Sequence, residues 1–186
     1  MSDEHSEQVW AELEARAQRL LEHPKDLEPR EPIRHYGSLL RLWHFPAYGP
    51  QTAWTILTPG KKTPPLAGPM VRELTWHRAA DHQRVFDAPV VVKPGSAEPT
   101  LRLRDAPLPA EDFERHWAQG AGLAVPLLLQ SHVVGLDGEY FGLETYETSP
   151  FVRVQWWCEG PAEWRHFTDW VAVLRQHLVS LLDQSG

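Results

Sequence analysis

Cysteine is nearly absent: Cys158 is the only one in 186 residues. An internal disulfide is therefore excluded, and so is a zinc site built on cysteine pairs. Long apolar runs are missing too. A run such as Leu123 to Leu129, with Pro126 inside it, is far too short to cross a bilayer. The opening MSDEHSEQVW is acidic and has no apolar stretch of the kind a secretory signal needs. The chain therefore reads as cytoplasmic, with no membrane partner. Catalytic signatures are also lacking. There is no G-x-S-x-G, no H-E-x-x-H and no glycine fingerprint for nucleotide phosphates. No internal repeat or low-complexity tract is visible.

Aromatics and prolines are plentiful, with nine tryptophans and seventeen prolines. Both suit a sheet with long, stiff connections better than a helical bundle. Net charge is −7, unevenly spread. Residues 1–30 carry 8 acids against 4 bases, residues 31–110 carry 6 against 10, and residues 111–186 carry 11 against 4. An acidic C-terminal part repels phosphates, which makes nucleic acid a poor partner there and a basic protein a compatible one. The middle third holds Arg72, Arg78, Arg84, Lys93, Arg102 and Arg104. These could meet an anion, but within an acidic protein they do not outweigh the argument against nucleic acid. Plain solubility is the simplest account of the exposed acids.

The hydrophobic pattern divides the chain into residues 1–30, an N-terminal helix and linker, and residues 31–186, a single domain. Trp10, Leu13, Ala17, Leu20 and Leu21 form one helical stripe that Pro24 stops. SLLRLWHF (38–45), TAWTIL (52–57), MVRELTW (70–76), PVVVK (89–93) and TLRLR (100–104) read as strands, the first two as antiparallel neighbours. In TLRLR the alternation of leucine and arginine predicts one wet face. The loop TPGKKTPPLAGP (58–69) can be neither helix nor interior strand. HRAADHQRVFDAP fits a short helix or an ordered loop equally well. Residues 109–119 carry the start signals of a short helix, with Gly120 past its end. HVVGL-DG-EYFGL signals a hairpin, and FVRVQWW a further strand. A long helix then runs from about Pro161 to Asp183. The fold class is α+β: an antiparallel sheet of about six or more strands, with an N-terminal helix, a short middle helix and a long C-terminal helix packed on it.

Several residue groups could carry chemistry, and each has a plainer reading. His77, Asp81 and His82 lack the spacing of a known metal motif. Ser131 and His132 are adjacent, so in a strand they point to opposite faces. Cys158 and His166 flank a helix start, but Glu159 and Glu163 beside them would raise a thiol pKa. Glu144 and Glu147, or Asp137 and Glu139, are possible carboxylate pairs for sugar chemistry. The spacing of the first pair puts its members on opposite faces of a regular strand. None of these groups selects an enzyme, and no metal or cofactor is expected.

VQWWCEGPAEWRHFTDW (154–170) is the densest aromatic stretch. Trp156 and Trp157 must face opposite sides of a strand, and Glu159-Gly160-Pro161 turns into the last helix. Trp164, Phe167, Val171, Leu174, Leu178 and Leu181 make one core stripe. Trp170 lies off it, beside His177 and nearer to His166 than the stripe is, and fits a half-buried rim position.

From Leu136 onward, LDGEYFGLETYE, VQWWCEGPAEW and DWVAVLRQHLVSLL resemble the C-terminal portion of uncharacterised bacterial proteins. Their shared pattern is D-G-x-x-[YF]-x-L, a strand ending in W-W, and G-P-x-x-W opening the last helix. In size and style such small acidic α+β proteins resemble immunity proteins of bacterial toxin systems. The resemblance covers about fifty of the 186 residues. It implies a protein partner, such as a basic toxin domain, and carries over no catalytic residues. The expected function is thus a non-catalytic, cytoplasmic, immunity-type binding protein. Its expected contact residues are Glu139, Glu144, Glu147, Glu159, Glu163 and Trp170. Two alternatives stand beside it: an enzyme or small-ligand binder with a tryptophan-lined pocket, and a structural subunit of a larger assembly.

Overall fold

The computed structural model describes residues 3–24, 27, 35–63, 67–87, 97–126, 138–146 and 151–185. In chain order the elements are α1 (Asp3–Glu22), β1 (Tyr36–Pro46), β2 (Gln51–Pro59), β3 (Met70–Trp76), α2 (Arg78–Phe86) and β4 (Leu101–Pro107). After these come α3 (Ala110–Ala121), β5 (Glu139–Thr145), β6 (Arg153–Trp157), a 3-10 turn (Ala162–Trp164) and α4 (Arg165–Ser185). The strands form one six-stranded sheet in the order β4-β3-β2-β1-β5-β6, every neighbouring pair antiparallel. The chain is therefore α+β, with the N-terminal, short middle and long C-terminal helices expected from the sequence.

Helices cover both faces of the sheet, because strand alternation gives it two apolar faces. On one face Leu40, Leu42, Trp54, Ile56, Val71, Leu143 and Trp156 meet Phe167, Val171, Leu174, Leu178 and Leu182 of α4. On the other, Trp43, Ala53, Leu74 and Trp76 meet Val9, Leu13, Ala17 and Leu21 of α1, with Val85 of α2. The apolar stripe of α1 is thus buried against the sheet. Gly142 allows the tightest approach. A Cβ there would lie 1.9 Å from Cζ2 of Trp43, its direct cross-strand partner.

One register line crosses all six strands on the α1 face: Asp105, Arg72, Thr55, Arg41, Glu144 and Arg153 stand directly opposite one another in turn. Arg41 and Arg72 are each 2% exposed. Arg72 grips Asp105 through two bonds of 2.9 Å, and Arg41 Nε lies 3.0 Å from Glu144 Oε1. Tyr146 also donates to Glu144. The free ends of both guanidinium groups reach the end of α1 and the chain just beyond it. Arg41 donates to the carbonyl of Leu21, and Arg72 to those of Pro24 and Leu27. Helix ends leave such carbonyls unpaired and partly negative, so buried cations there satisfy both sides.

Where the observed structure differs from expectation, a neighbour explains it. The segment after Trp76, open from sequence between a short helix and an ordered loop, is helical as α2, because Asp81 anchors it. Asp81 is fully buried, and it accepts from Trp76 Nε1 at 2.7 Å and from both N and Oγ1 of Thr100. The arginine face of β4 is only partly wet: Arg102 is exposed, but Arg104 binds Glu73 and Asp183 of α4. Gly120 lies inside α3 rather than past it, and Gly122 caps the helix. The core stripe of α4 ends on Leu182 instead of Leu181. The expected strands at 89–93 and 132–136, with the Asp137 half of the hairpin turn, lie outside the described residues. β5 is paired on both edges, by β1 and β6.

Candidate functional site

The start of β5, the end of β6 and the start of α4 meet at one corner of the domain. β6 ends in a tight turn in which Cys158 takes a positive φ of 49° and Gly160 one of 73°. The backbone N–H of Cys158 donates to the carbonyl of Glu139 at 2.8 Å, tying the turn to β5. This brings Glu139 and Glu159, two of the six residues expected from sequence, to the same end of the sheet, and a third, Glu163, follows in the 3-10 turn that leads into α4. All three are exposed, Glu139 with 51% of its side chain accessible, and Asp169 of α4 is exposed beside them.

The floor beside this corner is an aromatic row on the α4 face of the sheet. His44, Phe141 and Trp156 are direct cross-strand neighbours on β1, β5 and β6. His44 stacks on Phe141 with centroids 4.5 Å apart and planes 5° from parallel, and Phe141 stacks on Trp156 at 5.9 Å. Arg175 reaches down from α4 and sets its guanidinium 5.4 Å from the Phe141 ring centre, a cation–π placement. It separates two recesses. The larger, of about 770 Å³, is a broad groove toward the β1–β2 connection, lined by His44, Tyr48, Thr52, Glu139 and Gln176. The smaller, of about 280 Å³, lies toward the corner, lined by Trp156, Cys158, Glu159, Arg165 and Asp169. Tyr48 stands at the groove's rim, 81% exposed.

The electrostatics are mixed rather than uniformly acidic. Glu139 Oε2 lies 3.1 Å from His44 Nε2. Burial holds the His44 pKa below the ordinary histidine value, Arg175 pushes the same way, and Glu139 opposes them. His44 is therefore neutral near pH 7.

The other expected contact residues lie elsewhere. Glu144 is 4% exposed, on the opposite face of the sheet and paired with Arg41, so it is not a surface acid. Trp170 is half-buried under α3. Its Nε1 donates to the carbonyl of His116 at 3.2 Å, and its ring leaves no room for a Cβ on Gly120. Glu147 is outside the described residues. His44, Tyr48 and Arg175 were not anticipated. Only the exposed tyrosine in a proline- and glycine-bounded connection, FPAYGPQ, was a sequence signal for any of them.

Asp81 has its oxygens taken up by structural donors, while His82 stacks on Phe86 and Trp10. No group of three or more His, Cys, Asp or Glu among the described residues is placed to hold a metal. Ser131 and His132 lie outside the described residues. A tryptophan-lined recess does exist. It holds about 420 Å³ between the end of α3, β5, β6 and α4, with Trp117, Leu143, Val154, Phe167 and Trp170 in its walls. None of the described helices is long and apolar enough to cross a membrane. The chain matches no protein-family model, no curated protein and no solved structure.

Proposed function

We propose that this chain is a non-catalytic cytoplasmic binding protein that holds a basic protein partner at the Glu139–Glu159–Glu163 corner. An immunity-type role against a basic toxin domain is its sharpest form. The observation that carries the reading is the exposure of these acids, with Glu139 on the aromatic-floored groove and Glu159 and Asp169 on the neighbouring recess. Acids at a rim speed association with a basic partner by steering, and suppress acidic competitors. Tyr48 supplies the large, rigid side chain that binding surfaces use as an anchor, and Arg175 a second residue type enriched at such centres. The groove is shallow and lined by mixed chemistry, as a protein-docking surface is. The resemblance to immunity proteins in size and style points the same way.

The test is affinity purification from the chain's own cells, beside a variant carrying Glu139→Lys, Glu159→Lys and Glu163→Lys. A basic protein should follow the native chain and not the variant. Its association should slow as salt rises.

A second reading, a small-ligand binder, is favoured by the tryptophan-lined recess of about 420 Å³. Its walls are mostly apolar side chains, and Trp170 among them already donates its indole N–H to the carbonyl of His116. Such a ligand would be apolar. It would quench tryptophan fluorescence saturably, and the charge-reversal variant would bind it as well as the native chain does.

A further inference from the structure

α3 docks on α4 through a polar spot set in an apolar contact. His116 of α3 and His177 of α4 face each other, ring centroids 5.0 Å apart and planes at 37°. His116 is 7% exposed, and its Nδ1 is buried with no hydrogen-bond partner. Nε2 of His177 is also buried and makes no hydrogen bond; the acid beside it is Asp112 of α3, with Oδ2 at 3.4 Å. Asp112 is shared, because Arg115 holds its other oxygen at 2.5 Å. The surroundings from β1, β2 and the segment before α3 are Leu40, Ile56 and Leu108, with no charge among them. From α4 come Trp170 and Leu174, also uncharged. The titratable and charged groups around His116 are thus Asp112, Arg115 and His177.

Two imidazoles this close cannot both take a proton without repulsion, and one carboxylate shared with an arginine does not offset two added charges. Bound protons must therefore be accommodated by separating the rings or by admitting water between the helices. We propose that the His116–His177 pair is an acid-sensitive latch, and that its protonation loosens α3 from α4. The loosening has a local consequence. The carbonyl of His116 accepts from Trp170, and Gly120 of α3 presses on the Trp170 ring. Releasing α3 uncovers Trp117 and Trp170 together and opens the apolar recess they line.

The direction with pH follows from the burial. Burial lowers the His116 pKa in the folded chain, His177 and Arg115 lower it further, and Asp112 opposes them. The folded state therefore takes up the proton less readily than the unfolded chain. Stabilisation is complete above the ordinary histidine value of about 6.5 and is lost as pH falls through it.

Native-state hydrogen exchange, read residue by residue and corrected for intrinsic rates, tests this. Between about pH 7.5 and about pH 5, amides from Phe113 to Ala121 should lose roughly tenfold or more of their protection beyond any loss shared by those from Val171 to Leu182. In a His116→Leu, His177→Gln variant the difference should vanish. The native protein alone decides the matter if that variant fails to fold. Unchanged α3 protection, or equal loss in every helix, would overturn the latch. So would a rise in melting temperature with added Zn²⁺ at about pH 7.5 that needs both histidines, since the pair would then be a metal ligand set.

Discussion

Arg41 Nη1 donates a 2.9 Å hydrogen bond to the carbonyl oxygen of Leu21, joining the middle of the sheet to the last turn of α1. The same guanidinium pairs with Glu144 at 3.0 Å and lies 4.7 Å from the Trp43 ring centre. One buried side chain thereby fixes a helix end, neutralises a buried acid and backs a tryptophan.

Arg41→Met should therefore cost about 3–5 kcal/mol, because it leaves Glu144 buried without its cation. Adding Glu144→Leu should recover much of that loss, since an apolar pair of similar volume replaces a buried ion pair at little cost. Urea unfolding of the single and double variants measures both. A single variant within about 1 kcal/mol of the native chain would show that the pair is not buried in solution.

Gly142→Ala should destabilise by about 1–3 kcal/mol, because the new methyl meets the Trp43 ring and that ring is held by the α1 face. The indole must shift, so near-ultraviolet circular dichroism should change together with the melting temperature. An unchanged spectrum with native stability would contradict the packing of Trp43 on β5.

His44 offers a check on the groove itself. Its lowered pKa means that the folded chain binds this proton less readily than the unfolded chain, so stability from this group falls as pH drops below about 6.5. Arg175→Gln should move the His44 pKa up, and Glu139→Gln should move it down. Titration of the imidazole by NMR reads both directions. Opposite shifts, or none, would mean that these side chains do not meet around Phe141.

Much of the fold was legible because its signals are local. Phe167, Val171, Leu174 and Leu178 hold one helical face without help from the rest of the chain. The end of the stripe was misplaced by one residue. Leu182 lies about 40° from Leu178 around the helix and Leu181 about 60°, a difference too small to read from spacing. The candidate site was less legible, because charge says which residues are acidic and not which are buried. Glu144 looked like its neighbours in sequence. Its burial follows from cross-strand register with Arg41, set by a strand far away in the chain. A signal was present: an arginine inside SLLRLWHF, and an Arg-Glu pair inside MVRELTW, each require buried partners on an otherwise apolar strand. His44, Phe141 and Arg175 meet only through sheet order and the descent of α4, which no single stretch encodes.

The acids Glu139, Glu159 and Glu163 are proposed to recruit a basic protein. The triple Lys variant described above should retain native stability within about 0.5 kcal/mol per site, as exposed substitutions do. Affinity purification from the chain's own cells, followed by association kinetics at rising ionic strength, measures the claim directly. The native chain should retain a basic partner that the variant loses, and the association should slow at least tenfold over about 0.05 to 0.5 M salt. No retained protein, or one held equally by both chains and indifferent to salt, would contradict it.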